Sequence, residues 1–427
     1  MEQTYTNIAL LDHLGQGNLG DDATLDAVMH NIKSRWPHSR IIGLSLNPID
    51  TKKRHGITSY AIRRDCRLPP STAADNTKAT PVARLRTTIR KYPLLHRLVR
   101  FITAPIWLPW KALQECRFLL DSFCIMNSLD LLVICGGGQL RDPWHGPWNF
   151  PGTLFKWALL ARLSNVRCYF LNVGAGPLTT RWTRFLIRRS LYFADYISFR
   201  DQDSQSLIRQ IGFKGDSVVH ADNVYALPFA PGNAARRSSR DLIIGISPMK
   251  VPWKTDAAYR RNIEQLAQFA VHLLSQHYRL SLFGTEISSD CYAVADLYAA
   301  IKQRLDPSLL DRVTCPPIDG VEALFSVLSG LDYIVTFRFH GVVFAHLMNI
   351  PLLAISHHRK VTALMSDIGL VEYCLNLDTF EASQLAHAFG SLVKHTGAVK
   401  LRMARRAAEY SDDLASQYNS LFASAYP

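Results

Sequence analysis

Short apolar runs alternate with longer amphipathic segments along most of the chain. Residues 7–11, 129–135, 167–173 and 196–199 are apolar nearly throughout, the pattern of strands covered on both faces. Helical periodicity fills the gaps between them, over 153–162, 180–192 and 202–211. A polar stretch, PGNAARRSSR at 231–240, interrupts the alternation, which then starts again. Strands are expected at 242–246, 278–284, 313–315 and 331–336, with helices at 259–276, 291–304 and 320–330. Strand–helix alternation of this kind builds parallel sheets with helices on both faces. The predicted fold class is α/β, with two Rossmann-like lobes. The first spans 1–230 and carries a basic amphipathic insertion at about 76–120. A linker covers 231–240, and the second lobe covers 241–375. Helices over 376–427 are expected to pack back across both lobes.

Chemistry concentrates in FRFHGVVFAHLMNIPLLAISHHRKV, residues 337–361. A strand ends in a polar turn holding Arg338 and His340. The segment behind the turn, 341–348, is almost wholly apolar and so reads as a buried helix. A cation and a titratable imidazole therefore sit at a helix N-terminus, where backbone N–H groups favour anions. Arginine grips a carboxylate or phosphate bidentately, and histidine suits acid–base work near neutrality. The next strand delivers His357, His358, Arg359 and Lys360 to the same side. Ligands of α/β sheets bind at the carboxyl ends of the strands.

Other strand ends carry glycine. Gly15, Gly17 and Gly20 match Gly-x-Gly-x-x-Gly, with a helix expected to start near Asp21 and Asp22, an aspartate capping it. Those acids oppose a pyrophosphate, and the nearest acid after the second strand is Asp50, so NAD is disfavoured. Gly136, Gly137 and Gly138 precede Gln139 at another strand end, where a backbone can approach a ligand or a helix. Arg200 closes a third such strand. Trp144, Trp148 and His145 follow the triple glycine, in a loop suited to stacking on sugars or packing on the lobe.

Forty-eight Lys and Arg face 35 Asp and Glu, so the net charge of +13 calls for an acidic partner. No acid stands between Asp75 and Glu115, while eight cations interleave with apolar residues including Trp107 and Trp110. Residues 78–111 thus resemble an interfacial anchor for an anionic membrane, or an insertion packed on its own lobe. Pro105 and Pro109 are expected to break any helix there. No nucleic-acid motif is present. The eight cysteines are scattered, with no zinc-like spacing, which points to a reducing cytoplasm and no metal site. The N-terminus does not read as a signal peptide, and no run of apolar residues is long enough to span a bilayer.

In order along the chain, GNLGDD at 17–22, GGGQ at 136–139, GAGP at 174–177, RDQDSQSL at 200–207, AD at 221–222, GISPMK at 245–250, RFH at 338–340 and HHRKV at 357–361 resemble the polysaccharide pyruvyl transferases. That resemblance implies a two-lobed fold like the GT-B glycosyltransferases, with the active site between the lobes. It implies transfer of pyruvate from phosphoenolpyruvate to two sugar hydroxyls as a ketal. Phosphoenolpyruvate then serves as co-substrate, with no cofactor. Carried over by motif, Arg200 and Arg338 look like phosphoenolpyruvate clamps and His340 like the general acid/base. Lys360 and Lys250 look like helpers. Gly17, Asn18, Gly20, Asp21 and 136–139 look like an acceptor cradle. The chain departs from the family pattern at Met249-Lys250 and at Ala221. The implied acceptor belongs to a surface or exopolysaccharide and could be lipid-linked. A cytoplasmic enzyme, or one peripheral to the inner face of the plasma membrane, fits that acceptor. A nucleotide-sugar glycosyltransferase and a catalytically degenerate binding component are the alternatives.

Overall fold

The structure, a computed structural model, describes residues 6–13, 15–66, 93–142, 149–228 and 241–422, with backbone alone for 93–108. The expected linker at 231–240 lies outside the described residues, as does 78–92 of the expected membrane segment.

Two parallel sheets form the two lobes. In the first, β1 (Asn7–Leu11), β2 (Arg40–Ser45), β3 (Thr58–Ala61), β4 (Leu131–Cys135), β5 (Arg167–Val173), β6 (Tyr196–Phe199) and β7 (Val218–Val219) take the order 3-2-1-4-5-6-7. In the second, β8 (Ile243–Ser247), β9 (Arg279–Leu282), β10 (Val313–Thr314), β11 (Tyr333–Thr336), β12 (Leu352–Ser356) and β13 (Cys374–Asn376) take the order 10-9-8-11-12-13. Every strand pairing is parallel. Each order reverses beside its first strand, between β1 and β4 and between β8 and β11. Crevices for ligands open at such switch points.

Helices cover both faces. On one face of the first sheet, α1 (Leu19–Arg35) packs on Ile8, Leu10 and Val133. On the other face lie α3 (Pro93–Asn127), α4 (Phe150–Leu163) and α5 (Arg181–Tyr192), which bury Met126, Trp157 and Ile187 against Ala9, Leu132 and Phe170. Among the described residues, the remaining α-helices of the first lobe are α2 (Pro48–His55) and α6 (Gln202–Gln210). Contrary to expectation, Pro105 and Pro109 do not end α3. Each proline removes a helix hydrogen bond. The stretch beyond them buries Phe118, Ser122 and Met126, and that packing outweighs the loss.

The second lobe adds α7 (Asp256–Ser275), α8 (Asp290–Lys302), α9 (Val321–Ser329), α10 (Phe339–Leu347), α11 (Arg359–Asp367) and α12 (Ala382–Lys394). The final helix, α13 (Thr396–Leu421), crosses from one lobe to the other. Its Thr396 hydroxyl meets the Tyr333 hydroxyl at 2.8 Å in the second lobe. Its Gln417, 3% exposed, is buried in the first. There Gln417 Nε2 donates to Asn172 Oδ1 at 2.9 Å, Tyr196 Oη at 2.9 Å and Ser198 Oγ at 3.0 Å, and its Oε1 accepts from Asn172 Nδ2 at 2.9 Å. One apolar cluster runs from Ile8 and Val224 through Ile244 to Phe344 and Tyr418, so the lobes share a core.

Gln417→Leu removes four hydrogen bonds while keeping the volume. It should lower the free energy of unfolding by about 1–3 kcal/mol in urea titrations, because buried amides lose partners. An unchanged midpoint would show that α13 docks by apolar contact alone.

Candidate active site

The site grows from the ends of β1, β6 and β11. At the end of β11, Arg338 is the N-cap of α10, and Phe339 and His340 form its first turn. At the end of β1, a glycine-rich loop leads into α1. The helix begins at Leu19 with Asn18 as N-cap, its Oδ1 accepting from Gly20 N at 3.0 Å, so the cap is Asn18 rather than an aspartate. Asp21 and Asp22 occupy the first turn, where a helix dipole favours acids.

The two loops meet. Leu19 N donates to Thr285 O at 3.0 Å, and Ile287 N donates to Gly17 O at 2.8 Å. This seam lays α1 directly on the His340 ring. A Cβ on Gly20 would fall 1.8 Å from His340 Nδ1, so only glycine fits. Gly137, with φ of +62°, needs glycine for its backbone, and a Cβ there would lie 3.2 Å from Asp21 Oδ1 and 3.4 Å from Asp12 Oδ1.

Around His340 the charges are buried and interleaved. Arg200 Nη1 lies 3.2 Å from Asp222 Oδ2, and both residues belong to the first lobe. His340 Nε2 stands 3.7 Å from the same oxygen, beyond hydrogen-bond length, and among the described residues it has no hydrogen-bond partner. Burial alone would raise the Asp222 pKa, but His340 and Arg200 overcome it and hold that carboxyl at about 2. The Arg200 guanidinium sits 4.3 Å above the Phe339 ring, and the Lys360 ammonium lies 5.5 Å from the same ring. Burial, then repulsion from Arg200 and Arg141, pulls the Lys360 pKa down to about 7. Burial pushes the Asp21 carboxyl up, against the pull of His340 and Arg200. Asp12 is raised further by burial and by Asp21; Gln139 Nε2 donates to it.

Arg338 is held differently. Its Nη2 contacts Asp290 Oδ1 and Glu286 Oε2, each at 2.6 Å, and Ser289 Oγ at 2.9 Å. Its Nε donates to Asp290 Oδ2 at 3.2 Å. That same carboxylate accepts from Thr285 N at 3.1 Å and Glu286 N at 3.0 Å, fixing the turn that makes the interlobe seam.

The sequence model of the family described as Polysaccharide pyruvyl transferase matches residues 18–359, most of the chain. The chain belongs to the polysaccharide pyruvyl transferase family. No curated protein matches it in sequence. Among solved structures it is similar in fold to UDP-GlcNAc 2-epimerase from Neisseria meningitidis bound to UDP-GlcNAc, with a TM-score of 0.56, 10% identity, and 97% and 99% of the two chains covered. The spinosyn rhamnosyltransferase SpnG gives 0.53 at 12% identity, covering 97% and 99%. UDP-GlcNAc 2-epimerase from Methanocaldococcus jannaschii gives 0.54 at 9%, covering 90% and 91%. These likenesses establish the GT-B-like two-lobed architecture.

In this family member the structure gathers His340, Arg200, Lys360, Gly20 and Asp21 into one cluster, with Gly137 and Gln139 beside it. Gly17 and Asn18 form the interlobe seam; a Cβ on Gly136 would run into Thr24 and Asn223, whereas one on Gly138 would meet open space. Lys250 pairs with exposed Asp256 at 2.9 Å, and among the described residues no contact joins it to the cluster. Sequence reasoning passed over Asp12, Asp222, Asp290 and Phe339 as site residues. Asp222 was visible in its motif and Phe339 stands between two residues that were chosen. The partners of Arg338 lie about fifty positions away in sequence, and no local pattern reveals them. Among the described residues, no group of three metal-ligating side chains is present, and no helix is long and apolar enough to cross a membrane.

A lysine in an unfolded chain keeps its proton to about pH 10.4, whereas Lys360 releases it at about 7. Between those values the unfolded state binds the extra proton, so this group's contribution to stability rises with pH. Lys360→Met should therefore melt higher than the parent at pH 6, with the gap closing as pH approaches about 10. A gap independent of pH would mean that Lys360 is solvated.

Proposed function

We propose that the protein transfers pyruvate from phosphoenolpyruvate to two hydroxyls of one sugar residue, releasing phosphate and leaving a cyclic ketal. The observation that carries this reading is the convergence of Arg200 with Lys360 and His340, from opposite lobes, around Phe339. It supplies two cations and an imidazole whose buried Nε2 has no hydrogen-bond partner among the described residues. Phosphoenolpyruvate carries a carboxylate and a phosphate on one small carbon frame, and both anions suit these cations. Lys360 gains most from such a ligand, since an anion restores the charge that burial and its neighbours suppress. Arg338 enters as the group that holds the turn over residues 284–290, and with it the seam that seats Gly20 on His340.

The reaction then proceeds in two additions. One sugar hydroxyl attacks C2 while protonated His340 gives its proton to the C3 methylene, which becomes methyl. The hydroxyl proton passes to Asp21, whose raised pKa makes it a usable base. The bond from C2 to the bridging oxygen breaks, and phosphate departs with the electron pair. The second hydroxyl closes on C2, and its proton returns to neutral His340. Phosphate carries away the proton held by Asp21. Arg200 and Lys360 stabilise the charge on the leaving phosphate. The acceptor in this reading is a surface or exopolysaccharide, or its precursor.

Thermal unfolding with added ligands tests the donor. Phosphoenolpyruvate at about 100 times its dissociation constant should stabilise the fold by about 2.7 kcal/mol, and Arg200→Ala should abolish the shift. His340→Ala should keep the shift but lower phosphate release by roughly 10²–10⁴. A shift with UDP-GlcNAc and none with phosphoenolpyruvate would replace this proposal with nucleotide-sugar chemistry. Gly20→Ala forces the His340 ring from its place and should lower turnover by about 10² in the protein that remains folded. Parental turnover in Gly20→Ala would show that the ring position is unimportant.

A further inference from the structure

We propose that the outer face of α3, α4 and α5 is a docking surface for an anionic lipid bilayer. These three helices bury their inner sides in one cluster on one face of the first sheet, so their outer sides point away from it together. Large apolar side chains are left in solvent there: Trp110 at 62% exposure and Leu113 at 62% on α3, Leu163 at 66% on α4, and Trp182 at 53% on α5. Phe185 stands beside Trp182, ring centroids 6.2 Å apart, with the Arg189 guanidinium 5.6 Å from its ring. Tryptophan among exposed arginines is the composition of a bilayer interface, where the ring sits at headgroup level.

Charge selects the occupant. From 143 to 194 the chain holds no Asp or Glu, while Arg162, Arg181, Arg184 and Arg189 are exposed on α4 and α5; the nearby Asp195 is taken up by Arg167 at 3.1 Å. The acids facing this layer are few. Glu115 on α3 pairs with Arg64 at 3.3 Å, Asp121 is exposed on α3, and Asp142 caps the approach to α5 through Thr179 and Thr180. A neutral or cationic partner would not draw on such a field, whereas each basic residue near an anionic leaflet adds to binding. The surface also adjoins the site. Helix α5 begins just after the turn at 174–177, and a Cβ on Gly174 would lie 2.6 Å from Arg200 Nε. A sugar presented at a membrane surface would thus reach the cleft from the side on which α5 starts.

This surface stands independently of the donor chemistry, and sedimentation of the full chain with vesicles tests it. The parent should pellet with mixed phosphatidylcholine–phosphatidylglycerol vesicles at low salt, not with pure phosphatidylcholine, and release as salt rises. The variant with Arg162→Glu, Arg181→Glu and Arg189→Glu should bind about a hundredfold more weakly. The variant with Trp182→Ala and Phe185→Ala should also lose binding, and both should melt with the parent. Failure of the parent to pellet, equal pelleting with neutral vesicles, or parental binding by the triple variant would overturn the proposal. If these substitutions instead change the protein's mass in vesicle-free solution, the face is a contact between copies and the proposal is also overturned.

Discussion

A single buried carboxylate sets the conditions for the rest of the site. Asp222 is 3% exposed, and an ionised acid in such a place is tolerable only with cations beside it. Arg200 supplies one from its own lobe at 3.2 Å, while His340 approaches from the other lobe to 3.7 Å. The charge balance of the cluster therefore depends on how the lobes meet. The seam at Gly17, Leu19, Thr285 and Ile287 fixes that relation, and the bare Gly20 backbone lets the imidazole come close. Arg338 belongs to the same arrangement. It neutralises Asp290 and Glu286, and Asp290 in turn ties down the turn that forms the seam.

The parallel-sheet class and two-lobed plan were legible because buried parallel strands leave continuous apolar runs, which local pattern reading detects well. The 337–361 stretch was legible for a further reason: a polar pair before an almost wholly apolar segment fits little besides a helix N-terminus at a strand end. What the sequence could not show was which side chains on different elements meet in space. Arg338 reads as a ligand-binding arginine, and its ion pairs with Asp290 and Glu286 are invisible because those partners are remote in sequence. Lys250 looked like part of the cluster because it follows a strand end, yet its ammonium pairs with Asp256 instead. Pro105 and Pro109 misled for the opposite reason. A strong local rule lost to packing further along the same helix.

The cluster holds more than one group whose protonation is displaced, and the directions differ. Asp222 is held ionised, Asp12 and Asp21 are pushed toward the neutral acid, and Lys360 is pushed toward the neutral amine. Dry surroundings drive the last three, and a doubly anionic ligand would change the balance for all of them at once. Such a site is arranged to bind charge and to pass protons, as the proposed addition and elimination at C2 of phosphoenolpyruvate would require.

The most direct test of this account is turnover in D₂O, with the ketal product analysed by mass and NMR. If His340 delivers the proton, the ketal methyl group carries one solvent deuterium, and the His340→Ala protein binds phosphoenolpyruvate without placing deuterium at C3. A methyl group free of solvent deuterium, or deuterium entering at the parental rate without the imidazole, would contradict it.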